Sequence, residues 1–165
     1  MKNSITALAV MIFVSFMLAG TSAVAASGEV VGTMEAYLVS RSASGQEQFS
    51  PAKRVTPGGV IEYRVTYKNE TQKSLSEFVI NGKVPTNTVF VDDQSRTTQG
   101  AVLEADVAEL GWVSLPAFRD VKRDDGSVQR VRVAPNEYGA VRWRLKKAID
   151  PGSQVTAIYR VSVNK

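Results

Sequence analysis

Apolar and polar residues alternate strictly along the segment from residue 61 to residue 68. The apolar members fall on one face of an extended strand: Ile61, Tyr63, Val65 and Tyr67. The polar members fall on the other face: Glu62, Arg64, Thr66 and Lys68. Because an apolar face stabilises a strand only when a second layer covers it, the pattern predicts one half of a β-sandwich, with the polar face in water.

The same alternation recurs along the chain and is repeatedly interrupted by turn-forming residues. Segments 29–39, 84–91, 138–145 and 155–163 have strand character, and almost no segment has a helical period. The pattern predicts an all-β, immunoglobulin-like antiparallel β-sandwich of about seven to nine strands over residues 27–165. Its predicted core residues are Tyr63, Val65, Val141, Trp143, Leu145, Tyr159 and Val161.

Local signals place several turns and leave one segment open. Asn81-Gly82 is the strongest short turn signal, and residues 124–127, between two apolar runs, predict a β-hairpin. Segment 101–110 is compatible with a short helical turn, a strand or a loop. Trp112 is compatible either with the core or with a surface platform for a ligand.

Residues 1–26 have the composition of a cleavable signal peptide. Lys2 supplies positive charge, a mostly apolar run follows, and small residues at Ala25 and Ala26 suit a signal peptidase. The apolar run is shorter than the roughly 20 residues that span a bilayer. We therefore expect cleavage after Ala25 or Ala26, a periplasmic or secreted mature protein, and no transmembrane segment after cleavage.

The composition excludes several kinds of active site. The chain has no cysteine and no histidine, which excludes Ser-His-Asp triads, Cys-His dyads and zinc sites built from those residues. Asp92-Asp93 and Asp124-Asp125 are sequence neighbours that would point to opposite faces of a strand, so neither pair suits acid/base catalysis. Turn formation is the preferred interpretation of both pairs, and a weak calcium site is the alternative. We expect no enzyme activity, no cofactor and no metal.

Basic residues are concentrated in the second half of the chain. The formal net charge is +4, a mild excess that does not indicate nucleic-acid binding. If the basic residues lie on the outer face of paired strands, they would form a cationic stripe for an anionic glycan or an acidic envelope protein. The alternative is a solvated face that protects a sheet edge. The candidate residues are Arg130, Arg132, Arg142, Arg144 and Lys146.

Three segments, 55–69, 84–91 and 141–163, resemble the bacterial repeat domain of unknown function 11. They correspond in order to the turn-plus-strand, the proline-plus-strand and the paired final strands of that family. The resemblance implies an immunoglobulin-like domain of the cell envelope, and it implies no catalytic residue. The chain departs from the family because it contains a single copy and has Lys83 where an acidic residue usually precedes the Leu-Pro pair.

Two functions follow from this combination of fold and composition. The favoured one is a non-catalytic, exported module of the bacterial cell envelope, with a structural role or a role in protein or glycan interaction. The alternative is a periplasmic chaperone-like or carrier domain that offers a strand edge to a client. An exposed strand edge would favour the alternative, whereas edges blunted by lysine, proline or bulges would favour the passive module.

Overall fold

A computed structural model describes residues 28–165, apart from the side chain of Asp92, and the predicted signal peptide lies outside this range. The strands are β1 (Val30–Arg41), β2 (Glu47–Pro51), β3 (Val60–Asn69), β4 (Val79–Lys83), β5 (Thr88–Thr97), β6 (Ala101–Val107), β7 (Gly111–Ser114), β8 (Phe118–Lys122), β9 (Val128–Arg132), β10 (Tyr138–Leu145) and β11 (Gln154–Val163). A single 3₁₀ turn, Pro135–Glu137, precedes β10. Within the described residues, no helix is long and apolar enough to cross a membrane.

Two antiparallel sheets form the sandwich. The first contains five strands in the order β2-β1-β3-β11-β5, and the second contains four in the order β4-β10-β6-β7. The predicted all-β sandwich is therefore confirmed. The segment left open by the sequence is strand β6, which pairs with β10 and β7. Strands β8 and β9 form a separate two-stranded sheet, and the predicted turn between them is confirmed, with Gly126 at φ 84°.

Aromatic rings from both sheets meet in the core. Tyr159 of β11 stacks on Tyr63 of β3 with ring centroids 5.0 Å apart, and it lies 5.7 Å from the ring of Trp143 of β10. The predicted core is confirmed, because Tyr63 packs against this cluster and the other six residues are buried. Alternation placed these side chains correctly because each strand buries one face against the opposite sheet.

The structure contradicts the turn that was predicted at Asn81-Gly82. Asn81 and Gly82 do not form a turn: both lie inside β4, where they pair with Arg142 and Val141 of β10. A Cβ atom on Gly82 would lie 2.8 Å from Cε1 of Tyr159, so glycine is required here by the close approach of an aromatic ring. The dipeptide therefore reflects packing against the core rather than a change of chain direction.

The two sheets do not cover each other completely. On the inward face of β1, Met34 is 56 % exposed and Val30 is 37 % exposed, although both share the apolar phase of that strand. The predicted exposed loop between residues 40 and 50 is also shorter than expected, because Glu47–Pro51 forms β2 and pairs with the end of β1. Strand β2 extends the five-stranded sheet by one strand, but only next to residues 37–41 of β1.

Candidate functional site

Two of the predicted stripe residues, Arg142 and Arg144, lie on the outer face of β10. Glu104 of β6 pairs directly with Arg142 in the sheet, and its Oε2 accepts hydrogen bonds from Arg142 Nε at 2.5 Å and Arg144 Nη2 at 3.3 Å. The guanidinium carbon of Arg142 also lies 4.3 Å from the ring centroid of Trp112. Trp112 is thus a surface side chain that covers a cation, and the charge of Arg142 is largely compensated within the chain.

The environment of Glu104 shows that this compensation is electrostatically effective. Burial alone would raise its pKa, but the hydrogen bond from Arg142 and the charges of Arg142 and Arg144 outweigh burial and hold the pKa below the ordinary value of 4.5. Glu104 is therefore a stable carboxylate at neutral pH. It is suited to holding arginines in place and unsuited to acting as a general acid.

Lys146 lies just past the end of β10, beside a shallow cleft of about 440 Å³. The cleft is lined by Ser76, Glu77, Arg144, Leu145, Lys146, Lys147 and Ala148. Three of these side chains are basic and one is acidic, so the local charge is positive. The cleft is wide open to solvent, and its polar lining suits only weak contact with an anionic group.

The other two stripe residues, Arg130 and Arg132, lie on β9, which pairs only with β8 within residues 28–165. Strand β10 pairs with β4 and β6 instead. The expectation that Arg130 and Arg132 share a paired surface with Arg142 and Arg144 is therefore wrong. A tight turn and the buried Val133 separate the two strands, and the chain changes direction between them. Whether any of these residues binds an anionic partner stays a prediction.

We call residues 118–132, which form the β8–β9 hairpin, the arm. Its base is anchored in the core by Ala117 and Val133, which are buried and joined by a hydrogen bond from the Val133 N–H to the Ala117 carbonyl. Beyond the base, every residue from Asp120 to Arg132 is exposed, on both faces of the ribbon. Val128 is the extreme case at 66 % exposed.

Apolar and basic side chains are interleaved along the arm. Four large apolar residues are exposed on it: Phe118, Val121, Val128 and Val131. Five basic residues accompany three acidic ones in the same segment, and they are Arg119, Lys122, Arg123, Arg130 and Arg132. The guanidinium carbon of Arg130 lies 4.9 Å from the ring centroid of Phe118. A two-stranded ribbon alone is only marginally stable in water, so local contacts of this kind matter for its shape.

The tip and base of the arm are fixed by local hydrogen bonds. Asp125 accepts hydrogen bonds from the backbone N–H of Ser127 at 2.9 Å and from its hydroxyl at 2.6 Å, and these bonds lower the pKa of Asp125. At the base, the hydrogen bond from Arg119 to Glu137 lowers the pKa of Glu137. Asp125 therefore serves the turn, as the sequence predicted. No group of three or more metal-ligating side chains occurs within residues 28–165.

The sequence did not predict a buried charge cluster on the outer face of the five-stranded sheet. Glu62, expected in water, is fully buried at 0 % exposure, and Arg160 opposite it on β11 is also buried. Arg64 Nε donates to Glu62 Oε1 at 2.8 Å, and Arg160 Nε donates to Glu62 Oε2 at 2.8 Å. The outer guanidinium nitrogens of Arg160 donate to both oxygens of Glu47 at 2.8 and 2.7 Å.

Strand β2 is the physical reason for this burial. It places Glu47 and Phe49 beside the cluster, and the Phe49 ring centroid lies 4.9 Å from the guanidinium carbon of Arg64 and 5.7 Å from that of Arg160. Hydrogen bonds to Glu47 and Glu62 raise the pKa of Arg160, and the bond from Arg160 lowers the pKa of Glu47. Both oxygens of Glu62 accept hydrogen bonds from arginine, and with Glu47 the cluster joins strands β2, β3 and β11.

Comparisons of the chain with protein-family models, curated proteins and solved structures give no match. The resemblance to the bacterial repeat domain of unknown function 11 therefore stays a prediction. Function has to be inferred from the surfaces of this chain alone.

Proposed function

We propose that this chain is a non-catalytic, exported module of the bacterial cell envelope and that it contacts its partner through the arm. The observation that supports this proposal is the exposure of both faces of the arm from Asp120 to Arg132. Exposed apolar groups beside cations are typical of recognition surfaces, because the apolar groups add contact area and the cations add orientation. The rest of the sandwich would serve as a rigid support.

The charge of the arm favours an anionic partner. Its basic residues exceed its acidic ones, and Asp125 is already engaged in the turn at the tip. An anionic envelope glycan such as lipopolysaccharide, or an acidic protein, has complementary charge. Arg130 is directed by its contact with Phe118, so a cation and an aromatic ring would meet the partner together.

The absence of catalysis is also part of the proposal. Histidine and cysteine are missing from the sequence, and the carboxylates of Glu62 and Glu104 are engaged by arginines. The lowered pKa of Glu104 keeps that group ionised at neutral pH, which does not suit a general acid. A protein with these groups is better suited to binding than to bond breaking.

The proposal is tested by titrating the purified protein with lipopolysaccharide at low and high salt. We expect binding that weakens steeply with salt, because exposed charges are screened over about 10 Å at 0.1 M ionic strength. The double variant Arg130→Gln/Arg132→Gln should weaken binding about tenfold or more, by analogy with the loss of charged interface contacts. The matched control Arg144→Gln/Lys146→Gln removes the same charge from the four-stranded sheet and should bind nearly as the wild type does.

Three results would contradict this proposal. Equal weakening in both double variants would mean that diffuse charge, and not the arm, drives binding. Binding that ignores salt would exclude an electrostatic surface. A mature protein whose mass shows an intact N-terminal 26 residues, in a cytoplasmic fraction, would contradict export.

A second candidate is the chaperone-like or carrier domain that offers a strand edge to a client. The observation in its favour is the edge of β1 over residues 30–35, which contains neither proline nor lysine. A carrier should suppress aggregation of an unfolded protein, and that suppression should persist in the Arg130→Gln/Arg132→Gln variant. A module that acts through the arm should give no suppression, so an aggregation assay separates the two functions.

A further inference from the structure

Strand β1 has an edge that no other strand covers within residues 28–165. It pairs with β3 from Val30 to Val39, but with β2 only from Tyr37 to Arg41. The Ala36 carbonyl accepts from the Ala52 N–H at 3.0 Å on the β2 side. Residues 30–35 therefore have a paired side toward β3 and an unpaired side toward solvent. We call the unpaired side the β1 edge.

The hydrogen bonds around β1 show which backbone groups point to that edge. In an antiparallel strand, the N–H and C=O of one residue point to the same side, and the side alternates along the chain. The Ala36 carbonyl points toward β2, whereas the Glu29 carbonyl points toward β3 and accepts from the Glu70 N–H at 3.0 Å. By alternation, Val30, Gly32 and Met34 present their N–H and C=O groups at the β1 edge.

The side chains of the same three residues lie on the inward face, where the second sheet leaves them uncovered. Val30 and Met34 are exposed apolar groups, and Gly32 between them has no side chain. A Cβ atom at Gly32 would lie 2.8 Å from Cε1 of Tyr67, so the aromatic ring occupies the space beneath the glycine. The edge thus presents an apolar side chain, an aromatic ring at the position that lacks a side chain, and a second apolar side chain.

Other edges of the two sheets are interrupted. Strand β5 shifts register between the partners of Ile158 and Arg160, and strand β2 ends at Pro51. The short edge strands β4 and β7 of the other sheet are soon followed by Pro85 and Pro116. Bulges, prolines and short length all discourage pairing with another chain. The β1 edge has none of these protections over residues 30–35, and its register with β3 is continuous.

We propose that a second copy of this chain pairs with the β1 edge, so that two β1 strands run antiparallel about a twofold axis at Thr33. In this register Gly32 of each copy lies opposite Met34 of the other, and the two pairs exchange about four backbone hydrogen bonds. Met34 then lies beside Gly32 of the other copy and packs against the Tyr67 ring of that copy, a favourable contact for a thioether. The edge is complementary to itself.

Charge favours this register over the one that has its twofold axis at Gly32. With the axis at Thr33, Glu35 lies opposite Val31 of the other copy. With the axis at Gly32, Glu35 would lie opposite Glu29, and like charges directly opposite each other destabilise a pair of strands. The proposal does not depend on the arm, because no arm residue takes part in it.

The test measures the mass of the purified protein, as the cell produces it, by analytical ultracentrifugation from about 1 µM to about 1 mM, the range in which weak pairs form. We expect a shift from one copy to two with rising concentration. Met34→Pro should weaken dimerisation about tenfold or more, because it removes an edge N–H that the pairing with β3 does not use. Val128→Lys on the arm is the control and should dimerise as the wild type does.

Cysteine substitution tests the register, since the natural chain has no cysteine. Thr33→Cys should form a disulfide between copies under mild oxidation, because the two residues face each other at the axis within disulfide reach. Val31→Cys should crosslink far more slowly. A single-copy mass at every concentration, a dimer unaffected by Met34→Pro, faster crosslinking of Val31→Cys, or a monomer whose edge binds unrelated extended peptides would each overturn the proposal.

Discussion

The outer face of the five-stranded sheet and the arm depart from the usual rule of burial in opposite directions. On the sheet, Glu62 and Arg160 are charged and buried, and side chains of β2 contact Arg160. On the arm, Val121 and Val128 are apolar and exposed. The strand that carries Glu62 alternates regularly in sequence, yet its polar member Glu62 is buried, so alternation alone does not decide which side chains leave water. The deciding factor is whether another part of the chain covers the face.

The difference also bears on energetics. Charges buried in the sheet cluster hold three strands in one register, because each arginine must reach its carboxylate. Apolar groups exposed on the arm contribute little to folding, because they remain in water in the folded chain. We therefore expect the free energy of unfolding to depend mainly on the buried charge cluster of the sheet. Partner binding should depend on the arm. The ion pair of Glu104 with Arg142, whose guanidinium group lies against the Trp112 ring, should contribute to stability by an amount between those of the two regions.

Removing Glu62 should have the largest effect on stability. Glu62→Ala leaves Arg64 and Arg160 without their shared carboxylate, and we expect a loss of about 3 kcal/mol in the free energy of unfolding, the lower end for a buried pair, since Arg160 keeps Glu47. Chemical denaturation at neutral pH measures this loss. The double variant Glu62→Leu/Arg160→Met should cost less than the single one, because it leaves no uncompensated charge from the pair. A cost near zero for Glu62→Ala would remove the distinction between the two regions.

Replacing Glu104 should have an intermediate effect that depends on pH. We expect Glu104→Gln to cost roughly 1 kcal/mol at neutral pH, discounted because Arg144 is half exposed. The pKa of Glu104 is lowered by folding, so its stabilisation is present above the ordinary value of 4.5 and is lost as pH falls through the folded-state pKa. The gap between wild type and variant should therefore narrow in acid. Urea denaturation across that pH range measures the difference, and a constant difference at every pH would contradict the prediction.

Changing the arm should have the smallest effect on stability. Val121→Thr/Val128→Thr keeps β-branched side chains and should change the free energy of unfolding by no more than about 0.5 kcal/mol per site. The matched substitution Val133→Thr, at the buried base, should cost more than about 1 kcal/mol because it places a hydroxyl in the core. Thermal unfolding followed by circular dichroism compares them. A large loss in the double variant would show that the arm packs on the sandwich in solution.

The sequence predicted the core well because each core residue follows from a local period. Val141, Trp143 and Leu145 alternate on one strand, and burial of one face places all three. Gly82 was misassigned because a glycine in a turn and a glycine beneath an aromatic ring have the same local sequence, and only the position of Tyr159 distinguishes them. That position is set by a strand more than 70 residues away.

The surfaces were harder to predict because they depend on which strands pair. The proposed stripe combined Arg130 with Arg142, and only the sheet topology shows that their strands lie in different sheets. The buried cluster was missed for the same reason. Glu62 and Arg160 both lie on polar faces of their strands. That they lie directly opposite each other becomes clear only when the register of β3 with β11 is known.

The position of β11 constrains how the molecule can assemble. This strand comes last in the described chain, yet it lies inside the larger sheet, between β3 and β5. Until residues 154–163 have emerged and docked, β3 and β5 have no partner on that side, and Glu62 has no Arg160 to compensate it. The larger sheet therefore cannot be completed before β11 is available. A polypeptide whose larger sheet cannot form before β11 is available stays unfolded for longer, and an unfolded polypeptide can pass through a narrow channel.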